Sequence, residues 1–219
     1  MTPDSDRVER YFERAAEEFD ALYDQGPGLR SWFNRLLRRA LFERLRMTLD
    51  ELRELRDFTV LDVGCGSGRN CLLFLQAGAR RVVGIDVSKK MVELSSEQAR
   101  RHGVEGKCSF LQSDLLSYAP GETFDAVVAL GIFDYLADAR SNLGRMAALA
   151  SSRVVASFPG VSLVRAPLRK LRYALKDCPV YFYTRGELEA LCQEVGLADY
   201  RILPCAGAGY VLVARTSPR

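Results

Sequence analysis

The sequence predicts an α/β fold: a seven-stranded, mostly parallel sheet with a C-terminal antiparallel hairpin, preceded by an N-terminal helical lid. Three observations predict it. From residue 58 onward, short β-branched runs alternate with helical stretches, the pattern of parallel strands covered on both faces by helices. The last two runs are separated only by Pro204-Cys205-Ala206-Gly207-Ala208-Gly209, too short for a helical crossover, so they should pair antiparallel. Ahead of residue 58 the pattern is helical.

Residues 4–24 read as an amphipathic helix, with Val8, Tyr11, Phe12, Ala15, Phe19 and Tyr23 at helical spacing, and Gln25-Gly26-Pro27-Gly28 breaks it. A second helix is expected over about 29–47, carrying Leu29, Trp32, Phe33, Leu36, Leu37, Leu41 and Leu45 on one face. Strands are expected at Phe58–Val63, Arg81–Ile85, Cys108–Gln112, Phe124–Leu130, Arg153–Phe158, Tyr200–Leu203 and Tyr210–Ala214. Helices should fall at about 68–77, 88–102, 137–150 and 184–195. The chain thus divides into a cap, 1–57, and one domain, 58–219, with an insert at 159–183.

The 219 residues, 48% hydrophobic and 27% charged, suffice for one substantial core. A net charge of +3 is too small to argue for a nucleic-acid partner. None of the six cysteines forms a C-x-x-C pair and His102 is the only histidine, so no metal site is expected. His102 itself falls at a predicted helix end, a structural or exposed position. With no secretory pattern at the N-terminus, the reading is a reduced, cytoplasmic compartment. No apolar stretch approaches the roughly 18 residues needed to span a bilayer.

The strongest chemical signal is Val60-Leu61-Asp62-Val63-Gly64-Cys65-Gly66-Ser67-Gly68, where a buried strand turns into a helix. Its glycines let backbone approach a ligand closely, and the helix N-terminus favours negative charge. The next strand ends in Asp86, followed by Val87, about 20 residues after the glycines, where a carboxylate can hold ribose hydroxyls. The glycine spacing is G-x-G-x-G, with Arg69 where the dinucleotide fingerprint has its third glycine, and no G-K-[ST] follows. After the third strand comes the polar turn Gln112-Ser113-Asp114-Leu115, whose carboxylate can accept from an adenine amino group or cap its own turn.

These motifs, with Phe124-Asp125-Ala126-Val127-Val128-Ala129-Leu130-Gly131, resemble the ordered motifs of class I S-adenosylmethionine (SAM)-dependent methyltransferases, which have a Rossmann-like sheet. The resemblance covers 58 to about 158, and the closing hairpin fits it. It implies SAM as cofactor, with Asp62, Gly64, Cys65, Gly66 and Gly68 around the methionine part and Asp86 and Val87 at the ribose. It further implies Asp114 and Leu115 by the adenine, and Leu130 and Gly131 beneath the sulfonium. Tyr11-Phe12-Glu13-Arg14-Ala15 through Asp20 is similar to the opening of small-molecule members, making Tyr11 and Tyr23 candidate lid contacts, with core packing as the alternative. Phe158-Pro159-Gly160, a long insert and Tyr181-Phe182-Tyr183 are distantly similar to the magnesium-protoporphyrin and ubiquinone-pathway O-methyltransferases.

Asp134 and Tyr135, just after the fourth strand, are placed for acceptor contact or base work, although Asp134 can equally cap the next helix. Residues 163–176 hold five basic residues and no acid, and 29–47 hold six arginines against Glu43 alone. Both read as faces for an anionic, partly apolar partner, either a carboxylated substrate or a lipid surface contacted peripherally. The expected acceptor is a small molecule methylated on oxygen or nitrogen, met by Arg165, Arg169, Tyr181 and Tyr183. Three alternatives stand beside it. A nucleic-acid methyltransferase of the amino-methylating kind would carry [DN]-P-P-[YF] where this chain has Gly131-Ile132-Phe133-Asp134-Tyr135. A non-catalytic SAM-binding protein would keep the cofactor without turnover, and a dinucleotide oxidoreductase would need the displaced glycine.

Overall fold

The computed structural model describes residues 7–13, 31–161, 178–206 and 209–216. The expected first helix beyond residue 13, Tyr23, and Arg165 and Arg169 of the insert lie outside the described residues. Residues 7–13 are helical. Helix α1 (Ser31–Leu52) leads into β1 (Phe58–Val63), α2 (Arg69–Gln76), β2 (Ala79–Asp86), α3 (Lys89–Arg101) and β3 (Cys108–Gln112). There follow β4 (Phe124–Ala129), α4 (Ala139–Leu149), β5 (Ala150–Phe158), α5 (Arg185–Glu194), β6 (Asp199–Cys205) and β7 (Gly209–Arg215).

The seven strands form one sheet in the order β3-β2-β1-β4-β5-β7-β6. Strands β1 to β5 are mutually parallel, while β7 runs antiparallel between β5 and β6. A burial pattern without a polar face explains the central position of β1, β4 and β5: all six residues of β1 are buried. One apolar layer joins Leu61, Val127, Val154, Phe158, Leu143, Met146 and Leu188 beneath α4 and α5. The other joins Val60, Val82, Val128, Val155, Phe74 and Leu52 beneath α1, α2 and α3.

The boundaries differ where polar residues interrupt the apolar pattern. Helix α1 continues to Leu52 past an expected end at 47, because Thr48 is buried with its hydroxyl donating to the Arg44 carbonyl (2.9 Å). Strand β2 begins at Ala79, where Arg80 and Arg81 turn outward to pair with Asp125 and Glu122. Strand β5 begins at Ala150 because the Ser151 hydroxyl finds the Phe124 carbonyl (3.2 Å). The N-cap of α4 is Asp138, which accepts from the Ser141 amide (2.9 Å), so Asp134 does not serve that helix. All six cysteines are buried free thiols. Among the described residues no helix is long and apolar enough to cross a membrane, and no metal-binding group of side chains occurs.

Candidate active site

Strand β1 lies between β2 and β4, so the chain winds outward from it in both directions. Such a switch point opens a crevice beyond the C-terminal strand ends, and the glycine turn and the loop after β4 stand on its two banks. They touch. A methyl group on Gly64 would lie 2.1 Å from Cγ2 of Ile132, and Gly64 also has φ +70°. The Gly64 and Cys65 amides donate to the Ile85 carbonyl (2.8 and 3.1 Å), which fixes the turn against β2. By contrast, a Cβ at Gly66 or Gly131 would meet nothing within 4 Å. Those two positions are open ground flanking the crevice.

Helix α2 starts at Gly68, which offers no capping side chain, and the Cys71 amide donates to the Gly68 carbonyl (3.1 Å). Asp86 ends β2 and is held rigidly: Oδ2 accepts from the Gly66 amide and Oδ1 from the Ser88 amide, both at 2.9 Å. Burial pushes its carboxyl up, the charge of Glu13 adds to this, and the amides of Ser88, Gly66 and Val87 oppose it. Each oxygen keeps acceptor capacity for a hydroxyl. The Val87 carbonyl accepts from the Gln112 side chain (3.0 Å), and the Ser113 amide donates to the Asp86 carbonyl (3.0 Å).

Asp114 is engaged in its own turn. Its Oδ1 accepts from the Leu116 and Ser117 amides (2.9 and 3.0 Å) and its Oδ2 from the Ser117 hydroxyl (2.6 Å). Burial pushes this carboxyl up, but the three hydrogen bonds outweigh it and hold the group below its ordinary value. One lone pair on Oδ2 is left for a further donor. Leu115 is buried in the core, and Leu130 packs on the layer beneath α1. Asp62 and Cys65 sit behind the turn. Asp62 is 1% exposed and accepts from the Cys71 thiol (3.4 Å); burial raises its carboxyl to about 7, with the charge of Asp86 adding.

Beyond β4 the other bank gathers the remaining candidates. Asp134 and Tyr135 are buried, and the Asp134 carbonyl accepts from the Tyr181 amide (2.9 Å). The Tyr183 amide donates to the Pro159 carbonyl (2.9 Å), and its ring packs edge-on to Phe158 at 5.1 Å. Burial pushes the Tyr183 hydroxyl up to about 12, with the charges of Asp134, Tyr181 and Glu187 adding, so at neutral pH it is a donor rather than a base. The last residues of the insert therefore fold back onto the loop that follows β4, bringing Tyr181 and Tyr183 to Asp134.

Three contributors carried little sequence signal. Phe12, rather than Tyr11, is the ring of the N-terminal segment packed on Tyr135 (5.3 Å). Glu13 accepts from the Lys90 amide at the start of α3 (3.2 Å), a contact across 77 residues. Ser157, fully buried, accepts from the Gly131 amide (2.8 Å) and from Arg44 Nη1 of α1 (3.4 Å). A serine inside the apolar run Val154–Phe158 was its only mark.

Residues 60–153 match the family model described as "Methyltransferase domain". The matched stretch runs from β1 into β5 and contains the glycine turn, Asp86 and the loop after β4. A ubiquinone biosynthesis O-methyltransferase of Rhodopseudomonas palustris is 29% identical over 81% of this chain and 77% of its own length. The ribosomal protein L11 methyltransferase of Thermotoga maritima is 45% identical, but over 32% of this chain and only 26% of that protein. The crystal structure of magnesium protoporphyrin IX methyltransferase from Synechocystis PCC 6803, which has bound SAM, superposes with a TM-score of 0.78 at 20% identity, covering 99% of both chains.

Proposed function

We propose that the chain transfers a methyl group from SAM to an oxygen or nitrogen of an anionic, partly apolar small molecule. The observation that carries this reading is the crevice between β1 and β4. On one bank it has open backbone at Gly66 and a rigid carboxylate at Asp86; on the other it has Gly131, Asp134, Tyr135, Tyr181 and Tyr183. The names of the Rhodopseudomonas and Synechocystis relatives, one referring to ubiquinone biosynthesis and the other to a magnesium porphyrin, support a small, largely apolar acceptor.

These residues fit SAM. The open backbone at Gly66 and the uncapped start of α2 suit an amino-acid carboxylate, Asp86 suits two ribose hydroxyls, and the remaining lone pair of Asp114 suits an exocyclic amine. When bound, SAM supplies a methyl carbon activated by its sulfonium. The protein contributes alignment, worth up to ~7–11 kcal/mol of the barrier in favourable cases. Asp134 takes the proton of the acceptor, and Tyr181 and Tyr183, as donors, orient it. Phe12, packed on Tyr135, and Glu13, bonded to the Lys90 amide, bring residues 7–13 to the crevice and help to keep water out. Arg165 and Arg169 meet the acceptor's anionic group.

Methyl transfer from radiolabelled SAM to a panel of apolar carboxylates and phenols tests this. A labelled product is expected, with kcat for Asp134→Asn lower by about 10²-fold or more and SAH (S-adenosylhomocysteine) affinity unchanged. In the Arg165→Ala/Arg169→Ala variant the acceptor KM should rise while kcat stays. Label transfer to nucleic acid and to none of the panel would overturn the acceptor class.

A further inference from the structure

Among the described residues, the large apolar side chains left exposed are Phe42, Leu111, Leu116 and Val161. They are not scattered. Leu111 lies near the end of β3, paired with Ile85, and Leu116 follows in the Asp114 turn. Val161 follows β5, its amide donating to the Tyr183 carbonyl. Phe42 precedes Glu43, whose Oε2 accepts from the Ala206 amide in the turn between β6 and β7 (2.9 Å). That turn sits beside Phe158, because Tyr210 pairs with it. All four therefore border the same end of the sheet, the end where the crevice opens. Leu111 and Phe42 stand near its two opposite edges, a sheet seven strands wide.

The inward face of α1 is occupied, with Thr48 and Leu52 fully buried and Leu45 and Leu49 on the core. Its outward face carries Phe42 at 60% exposure, with Arg39 three residues before and Arg46 four residues after, both exposed, Arg46 in a surface pair with Asp50 (3.5 Å). Lys89, at the start of α3 on the same end, is 73% exposed and in a weak surface pair with Glu93 (3.8 Å). Aromatic and aliphatic tips ringed by basic side chains suit the interface of an anionic bilayer, where rings and methyls enter the acyl boundary and cations stay with headgroups.

We propose that the crevice end of the molecule docks on an anionic lipid surface through Phe42, Leu116 and Val161, flanked by Arg39, Arg46 and Lys89. The crevice mouth then faces the bilayer, and an apolar acceptor passes from lipid to the site without crossing water. This rests on the reading that the crevice holds cofactor and acceptor.

Co-sedimentation with vesicles of equal parts phosphatidylcholine and phosphatidylglycerol tests it, with SAH-induced thermal shift measured on each protein. The wild type is expected to sediment with these vesicles, more weakly as salt rises. The Phe42→Ser/Leu116→Ser/Val161→Ser variant is expected to bind at least about tenfold more weakly. Arg39→Ala/Arg46→Ala should lose the salt-dependent part, and all three proteins should keep the thermal shift. Because these side chains are exposed, the shift reports an intact fold. A wild type that stays in the supernatant, or a triple variant that sediments as well as the wild type, overturns the docking surface. So does a wild type that is dimeric by light scattering and becomes monomeric in the triple variant, because the patch would then be covered by a second copy. Loss of the SAH shift in the wild type would instead strike the cofactor reading, independently of the vesicles.

Discussion

Gly64→Ala should destabilise the protein by about 2–5 kcal/mol and weaken SAH binding more than tenfold. The left-handed backbone costs a Cβ-bearing residue about 1–2 kcal/mol, and overpacking typically adds about 1–3. Here the clash is specific: the new methyl falls 2.1 Å from Ile132 Cγ2, so the glycine turn and the loop after β4 must move apart. In an Ile132→Ala background the nearest remaining atom is the Ile132 Cβ position at 3.5 Å, an ordinary contact. The cost of Gly64→Ala should then fall to the backbone part alone, about 1–2 kcal/mol. Denaturant titration of the four proteins closes the cycle. Equal costs in both backgrounds would mean that the two banks of the crevice are not in contact.

The second large effect concerns pH. Burial holds the Asp62 carboxyl at about 7 in the native protein, against an ordinary value near 3.8. The native state thus keeps a proton that the unfolded chain releases, and stability falls as pH rises from about 4 to about 7, then levels. Three pH units correspond to about 4 kcal/mol for a fully buried group. Asp62→Asn keeps an acceptor for the Cys71 thiol and cannot ionise. Asp114 and Glu187, whose carboxyls are held low, slope the opposite way in both proteins, so the difference between wild type and variant leaves Asp62 and its coupling to the neighbouring Asp86, whose carboxyl burial also pushes up. Unfolding midpoints at pH 4.5 and pH 8 should show the variant gaining on the wild type at the higher pH, on the order of a few kcal/mol. A constant difference would place Asp62 in a more solvated setting than its neighbours suggest.

The sheet was legible because its strands are nearly continuous apolar runs, and β1 and β3 fall on the residues expected. The errors were made by polar residues that tertiary contacts satisfy: Thr48 inside α1, Arg80 and Arg81 at the start of β2, and Ser151 at the start of β5. Hairpin pairing followed from the short connection, whereas the insertion of β7 between β5 and β6 depends on packing that no local pattern encodes. The geometry of the glycine turn and Asp86 was legible for a similar reason, since glycines and an acid at fixed spacing act locally. The surroundings of the loop after β4 were less so. Asp134 meets Tyr181 at a separation of 47 positions, and Ser157 meets Arg44 at 113, contacts that exist only once the chain has folded. Asp114 shows the ambiguity in one residue, capping its own turn while keeping a lone pair toward the crevice.

The central claim is that the crevice between β1 and β4 takes SAM and that Asp86 anchors it. Thermal unfolding with SAH, with NADH and ATP in parallel, tests it most directly. At about 100 times its Kd a ligand adds ~2.7 kcal/mol to the native state, a rise of roughly 5–10 °C in Tm for a chain of this size. SAH alone should give that rise, and Asp86→Ala should abolish it while leaving the fold intact. No rise with SAH, or a rise with NADH in its place, would contradict the account.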